Sequence, residues 1–175
     1  MDIIARCPYS FCHTCGTPYI DANVWPRKCD ICLTIVYRNP IPGGLGIIPV
    51  KPEGIVVVRR ALQPNRGGLV LPGGYIHYGE SAEEAIVREI NEETGLVFNS
   101  SDVKSFGYDS TPSKAHIMLC GILPFVTEKD VLKVFSPTRE VSAVKIWRLG
   151  NEDLAVKQHH DAVMTYLESE MGQDV

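Results

Sequence analysis

Glu80, Arg88, Glu89, Glu92 and Glu93 are the residues of this chain whose types and spacing point most directly to chemistry. They fall in the stretch GYIHYGESAEEAIVREINEETGL, Gly74 to Leu96, which holds six carboxylates and one arginine in 23 residues. Carboxylates three and four apart on a helix repel one another, and burying one without a partner costs far more. Arg88 is a single charge and satisfies one of them, so a divalent cation is the natural partner for the rest. An all-oxygen ligand set favours Mg²⁺ or Mn²⁺, and Mg²⁺ held by a few carboxylates usually keeps positions open for water and phosphate oxygens. A solvated acidic helix face is the plainer alternative.

The element that must position these side chains is a helix. Ser81 followed by Glu84 is a capping-box pattern, the run from Ala82 to Thr94 has no Pro or Gly, and Gly95 supplies a left-handed residue to end it. At about 100° per residue, Ala82, Ala85, Ile86 and Ile90 form one apolar arc, while Glu84 and Asn91 point to the opposite side. Glu89 and Glu93 project from inside that arc and Glu92 sits on its edge, the wrong place for solvated carboxylates. Upstream, a short strand from Leu69 to Leu71 delivers the chain to Pro72-Gly73-Gly74, where glycine lets the backbone approach a metal and phosphates closely.

A second cluster is built from sulfur. Cys12-x2-Cys15 and Cys29-x2-Cys32 are separated by thirteen residues, and two such pairs present four thiolates with the bite of a tetrahedral Zn²⁺ site. Gly16 suits the tight knuckle turn after Cys15. A closed four-thiolate set implies stability rather than catalysis, with a redox dithiol or plain buried thiols as alternatives. Cys7 reads as a spare thiol, His13 as an exposed neighbour of the first knuckle, and Cys120, in the apolar run HIMLCGIL, as a core residue.

The Gly74–Leu96 stretch resembles the Nudix box, G-x5-E-x7-R-E-U-x-E-E-x-G-U with U a bulky aliphatic. Gly74, Glu80, Arg88, Glu89, Ile90, Glu92, Glu93, Gly95 and Leu96 meet every fixed position. The resemblance implies an α/β/α sandwich with a mixed β-sheet over residues 41–175, preceded by a small zinc ribbon over residues 1–40. It also implies Mg²⁺-dependent (or Mn²⁺-dependent) hydrolysis of a nucleoside diphosphate linked to another group. By the same resemblance Glu89 and Glu93 hold the principal Mg²⁺, Glu92 helps to hold additional metal, and the Gly73 carbonyl completes the first site. Arg88 then orients a carboxylate, and Glu80 stands behind the ligands. Family members take their general base either from the first glutamate of the Arg-Glu pair, here Glu89, or from a later loop, where Glu140 is the corresponding acid, and Glu140 is preferred.

A four-cysteine ribbon ahead of such a domain resembles the arrangement of NADH pyrophosphatases and related NAD- or RNA-cap-cleaving enzymes. Their downstream S-Q-P-W-P-F-P motif is absent, and Asp109-Ser110-Thr111-Pro112-Ser113-Lys114 stands in that region. Pro112, sixteen residues beyond Leu96, resembles the downstream proline of ADP-ribose pyrophosphatases. ADP-ribose or an NAD(H)-like dinucleotide is the expected substrate, with nucleoside triphosphates or capped RNA as the alternative. A non-catalytic, nucleotide-sensing module is the alternative of another class, but such a module has no need to keep Glu89, Glu92 and Glu93 together.

Composition sets the outer bounds. A chain of 175 residues, 45% hydrophobic, buries a full core in one ordinary domain with a small module attached. Of the net charge of −4, residues 1–40 carry four basic and three acidic side chains and the remainder 13 basic and 18 acidic. The acidity is local to the proposed metal site, so nucleic acid is not an expected partner, capped RNA excepted. No run approaches the ~18 apolar residues of a membrane span, and MDIIARCPYS lacks the basic start and apolar core of a secretory leader. The expected compartment is the cytoplasm, where cysteines serve as ligands or thiols rather than disulfides, and a homodimer is compatible with the sequence.

The Pro- and Gly-rich segment Asn39–Gly44 reads as the boundary between modules. Leu45–Val50 and Ile55–Arg60 read as a hairpin around Lys51-Pro52-Glu53-Gly54. Further strands are expected near Val103–Tyr108, His116–Leu123 and Val141–Trp147, with a terminal helix from about Gln158 to Glu170. Arg59 and Arg60 sit at a strand end where phosphates could reach them, Tyr75, Tyr78 and Tyr108 are aromatic candidates for base stacking, and His159 and His160 read as solvated.

Overall fold

The computed structural model describes residues 10–21 and 24–171, so Cys7 lies outside the described residues. The chain divides into two compact units, Met1–Pro40 and Ile41–Val175.

In the first unit a two-residue antiparallel ladder pairs β1 (Arg27–Lys28) with β2 (Ile35–Val36). Among its described residues only Cys12, Cys29 and Arg27 are buried. Arg27 lies over the Trp25 ring at 4.0 Å and over the Tyr19 ring at 5.3 Å. No apolar core of ordinary kind is present among these residues, and a unit this small needs a staple of another sort.

The second unit is a mixed α/β fold. Its elements run β3 (Ile41–Ile47), β4 (Val50–Lys51), β5 (Ile55–Arg60), β6 (Leu69–Val70), β7 (Gly73–Tyr75), α1 (Ala82–Thr94), β8 (Lys104–Ser110), β9 (His116–Ile122), β10 (Val126–Thr127), α2 (Glu128–Val134), β11 (Val141–Trp147) and α3 (Lys157–Met171). Four strands form one sheet in the order β7-β3-β9-β8, three form another in the order β11-β5-β6, and β10 pairs with β4. β3 runs parallel to β9 and antiparallel to β7, which makes the larger sheet mixed.

Two-residue alternation in β5 divides the interior. Val56 and Val58 point to a core shared with Ile86 and Ile90 of α1 and Val131 of α2. Ile55 and Val57 point to the other face, where they join Leu69, Leu71 and Trp147 with Val163 and Tyr166 of α3. Helices thus cover both faces, the expected sandwich.

α1 begins and ends as its sequence dictates. Ser81 Oγ accepts from the Glu84 amide at 3.2 Å, Glu84 Oε2 accepts from the Ser81 amide at 2.8 Å, and Gly95 closes the helix at φ 77°. Its apolar arc seats on a bare stretch of β3. A Cβ at Gly46 would lie 2.5 Å from Ile90 Cδ1, so glycine there sets how closely helix and sheet approach.

The two units divide between Pro40 and Ile41, inside the Pro- and Gly-rich segment, and Ile41–Gly44 already form the first half of β3, because a strand under a closely packed helix favours residues without side chains, and Pro42 sits at the strand start where proline is tolerated. The two apolar runs do turn tightly, with Val50 N–H donating to Gly54 O at 2.8 Å and Val56 N–H to Ile48 O at 3.0 Å, but β3 and β5 belong to different sheets. α2 was not anticipated; Thr127 Oγ1 and the Asp130 carboxylate cap its first turn reciprocally.

Candidate active site

The box glutamates are held by their own arginine and by the preceding turn. Arg88 Nε and Nη2 donate to the two oxygens of Glu80 at 2.6 and 3.0 Å, and Nη1 donates to Glu89 Oε1 at 2.8 Å. Nη2 also donates to the Tyr75 carbonyl at 3.0 Å, which ties α1 to the end of β7. The Arg88 guanidinium and the His77 amide hold the Glu80 carboxyl down at about 2. Glu92 is mostly exposed and stands 3.6 Å from Arg88 Nη1.

Glu93 has a different environment. Its Oε2 accepts from the Gly73 amide at 2.9 Å. Burial pushes its carboxyl up to about 7 against that hydrogen bond; the negative charges of Glu89 and Glu140 add to the rise, and Arg60 opposes it. Glu140, exposed at the start of β11, and Arg60, at the end of β5, therefore share this locality with the box although neither lies on α1.

Gly73 and Gly74 make that closeness sterically feasible. Gly73 has φ 152°, and a Cβ on it would lie 2.1 Å from the Gly44 carbonyl oxygen; a Cβ on Gly74 would lie 2.3 Å from Glu89 Oε1. The cradle is shaped by the absence of two side chains. A partly buried carboxylate beside a second carboxylate, with cationic relief only from arginines, suits a divalent cation. Glu89, Glu92 and Glu93 do not draw together as one tight ligand set, however. Among the described residues only Cys12, Cys15, Cys29 and Cys32 bring three or more ligand atoms within 4.8 Å of one another.

In that cysteine set Cys12 Sγ stands 3.5 Å from Cys32 Sγ, and Cys15 Sγ stands 3.6 Å from Cys29 Sγ. Four sulfurs tetrahedral about one zinc at about 2.3 Å lie about 3.8 Å apart, so the set is able to hold such an ion. Backbone amides of the first knuckle lower the Cys12 thiol to about 6. His13 is exposed.

A cavity of ≈ 240 Å³ opens between Leu45, Tyr108 and Asp109 of the larger sheet and Gln158, Asp161 and Thr165 of α3. Leu45 is the register partner of Gly73, so the cavity and the carboxylate turn are adjacent. Cys120 lines it, half-buried, with its thiol pushed up to about 11 by burial. Tyr75 stacks on His116 at 5.6 Å and its hydroxyl lies 3.2 Å from His116 Nε2, while Tyr78 is fully exposed. Arg59 is committed elsewhere, to the Gly67 carbonyl and Glu152.

His159 is a correction. Its Nδ1 accepts from the Leu71 amide at 3.0 Å, and burial, with the Arg60 charge, lowers it to about 4. It is not solvated. No spacing in the sequence signals this contact, because its partner is a backbone amide 88 residues away.

The NUDIX domain family matches residues 41–166. An ADP-ribose pyrophosphatase of Methanocaldococcus jannaschii is 40% identical over 89 residues, half of this chain and half of that protein. A NAD-capped RNA hydrolase NudC of Vibrio parahaemolyticus is 26% identical over 98 residues, 55% of this chain and 36% of that one. The chain thus spans half or less of the length of these curated relatives. Among solved structures, a NUDIX hydrolase from Nitrosomonas europaea superposes with a TM-score of 0.67 over 93% of both chains at 22% identity.

Proposed function

The chain belongs to the NUDIX domain family, and on that premise we propose that it is a pyrophosphohydrolase dependent on Mg²⁺ or Mn²⁺. Its substrate is a nucleoside diphosphate joined to another group, with ADP-ribose or an NAD(H)-like dinucleotide first. The observation that carries this reading is the partly buried Glu93 carboxylate, held by the Gly73 amide within the electrostatic reach of Glu89 and Glu140. The relative named ADP-ribose pyrophosphatase supports the substrate class.

Glu89 and Glu93 would hold the principal cation with the Gly73 carbonyl, and Glu92, exposed on the same helix, would take part in holding more. When bound, the cation neutralises phosphate oxygens and acidifies water. Arg88 keeps Glu80 and Glu89 in fixed orientation, so Glu89 need not reorganise on binding. Glu140 is the general base: its charge reaches Glu93 from a separate element, and its exposed carboxylate is the acceptor for a proton of the attacking water. The cavity beside Leu45 seats the nucleoside, with Asp109, Gln158 and Asp161 offering polar groups at its walls.

Cys12, Cys15, Cys29 and Cys32 hold a structural Zn²⁺ in place of the apolar core that the described residues of the first unit lack, and residues 1–40 form a zinc-ribbon module ahead of the NUDIX domain at 41–175. Similarity to a NAD-capped RNA hydrolase favours capped RNA as a second reading of the substrate. No helix among the described residues is long and apolar enough to cross a membrane.

The test is hydrolysis of a panel of ADP-ribose, NADH, NAD, FAD, diadenosine polyphosphates, dNTPs and NAD-capped RNA with Mg²⁺ or Mn²⁺, with products identified by chromatography. Release of AMP from ADP-ribose or NADH is expected. Turnover of dNTPs alone overturns the substrate class, and no turnover of any member in the presence of bound cation overturns the enzymatic reading.

A further inference from the structure

The turn Leu71-Pro72-Gly73 carries the amide that holds Glu93, and it is fastened at each of its three residues. The Leu71 amide donates to His159 Nδ1 at 3.0 Å, the Pro72 carbonyl accepts from the Gly46 amide at 2.9 Å, and the Gly73 amide donates to Glu93 Oε2 at 2.9 Å. Two of these bonds anchor the turn to β3 and α1. The first is the only one among them that reaches α3, the helix whose Gln158, Asp161 and Thr165 wall the cavity.

Accepting from an amide demands a lone pair on Nδ1, so the ring must be neutral with its proton on Nε2. Its surroundings favour that form: burial and the Arg60 cation both oppose protonation. The Leu71 side chain is buried against the α3 core, so this short segment has no freedom to find another acceptor without leaving its seat. An amide left unpaired there bears the full desolvation penalty of a buried donor, enough for the turn to shift instead.

We propose that His159 is a positioning residue for the hydrolysis: through the Leu71 amide it sets the turn that aims the Gly73 amide at Glu93, and so fixes Glu93 for cation binding. It touches neither cation nor substrate, and it joins the cavity wall to the carboxylate cradle through a single hydrogen bond. The proposal rests on the reading of Glu93 as a cation ligand.

Two substitutions separate the hydrogen bond from mere packing. In His159→Asn the amide oxygen can occupy the place of Nδ1 and keep the Leu71 bond, whereas in His159→Gln the side-chain amide reaches to the place of Nε2 and leaves Leu71 unpaired. Three readouts are taken on the full chain: Mn²⁺ affinity by calorimetry, exchange of the Gly73 amide by NMR without added cation, and kcat/KM on ADP-ribose. For His159→Gln the expected result is roughly tenfold to a hundredfold weaker Mn²⁺ binding, the range for lost outer partners of metal ligands, with faster Gly73 exchange. His159→Asn should stay within about threefold of the unmodified protein, well inside that range.

Equal behaviour of the two variants, both intact or both impaired, overturns the proposal, because the side chain then acts by nothing specific to its Nδ1. Glu93→Gln run in parallel tests the premise by itself. If it loses Mn²⁺ affinity while His159→Gln does not, the positioning role is overturned and the ligand assignment stands. If Glu93→Gln binds Mn²⁺ normally, the ligand assignment is overturned and the proposal goes with it.

Discussion

Arg88 grips Glu80 with two nitrogens, Nε at 2.6 Å and Nη2 at 3.0 Å, and spends a third on Glu89. Lysine has one nitrogen and no planar fork, so it cannot reproduce this. Arg88→Lys is expected to remain folded near neutral pH but to lose on the order of tenfold or more in kcat/KM, as outer partners of metal ligands do. The pair also carries a pH signature. Glu80 titrates near 2 in the folded chain against an ordinary value of 4.5, so its stabilisation is present above 4.5 and is lost as pH falls from there toward 2. Thermal melts across that window should show a smaller acid loss in Arg88→Lys than in the unmodified protein.

Glu93 runs the opposite way. Its folded value of about 7 lies above its ordinary 4.5, so the folded chain holds a proton that the unfolded chain has released, and stability falls as pH rises from 4.5 to 7. In chelated protein, Glu93→Gln should be more stable than the parent at pH 7.5 and nearly equal to it at pH 4.5. The same substitution should abolish measurable Mn²⁺ binding. His159 pulls against Glu93 between about 4 and 6.5, gaining stability as pH rises, so the difference between variant and parent, not the parent curve alone, is the quantity to read.

Glu140→Gln keeps the side chain's shape and removes its basicity. With Mn²⁺ affinity unchanged, a rate loss of about 10² to 10⁴ is expected for a general base. An unchanged rate at saturating cation would transfer the role to Glu89.

Gly73→Ala is expected to be costly by two routes. The residue has φ 152°, and its new Cβ would meet the Gly44 carbonyl oxygen at 2.1 Å. Strain and overpacking together place the loss at roughly 2–4 kcal/mol, readable by urea denaturation.

The two tryptophans divide between the two units, Trp25 in one and Trp147 in the other. Cys29→Ser should release one zinc per chain by metal analysis and change Trp25 emission, because among the described residues of that unit only Cys12, Cys29 and Arg27 are buried. In a Trp147→Phe background this signal is isolated. Retention of zinc and of the Trp25 spectrum would argue against the four-thiolate set.

Legibility in the sequence followed how local each determinant was. α1 was readable to both ends because Ser81, Glu84 and Gly95 write its boundaries within the segment itself. The unbroken apolar run Ile55–Val58 likewise marked a strand, although not which of its residues face which core. The start of β3 misled, since Pro42, Gly43 and Gly44 are punctuation by local rules and closeness of approach by tertiary ones. α2 has seven residues, too few for periodicity to register, and Thr127 with Asp130 was its one cue. Within the site, the carboxylates declared themselves by standing on an apolar arc. Arg60 reads there only as a possible phosphate contact and His159 as solvated, because one acts on Glu93 through charge and the other on Leu71 through a backbone amide, and neither interaction leaves a spacing in the sequence.

The parallel pairing of β3 with β9 has a consequence for the order in which a growing chain takes shape. Ile41–Ile47 emerges about seventy residues ahead of His116–Ile122, its neighbour in the sheet. Until then β3 has only β7 beside it, and α1 lies over half a floor. Every residue of the Nudix box is thus translated before the surface that supports it is finished, and long-range pairings of this kind slow folding. On the ribosome the acidic helix is complete before β8 and β9, the two strands that finish the sheet beneath it.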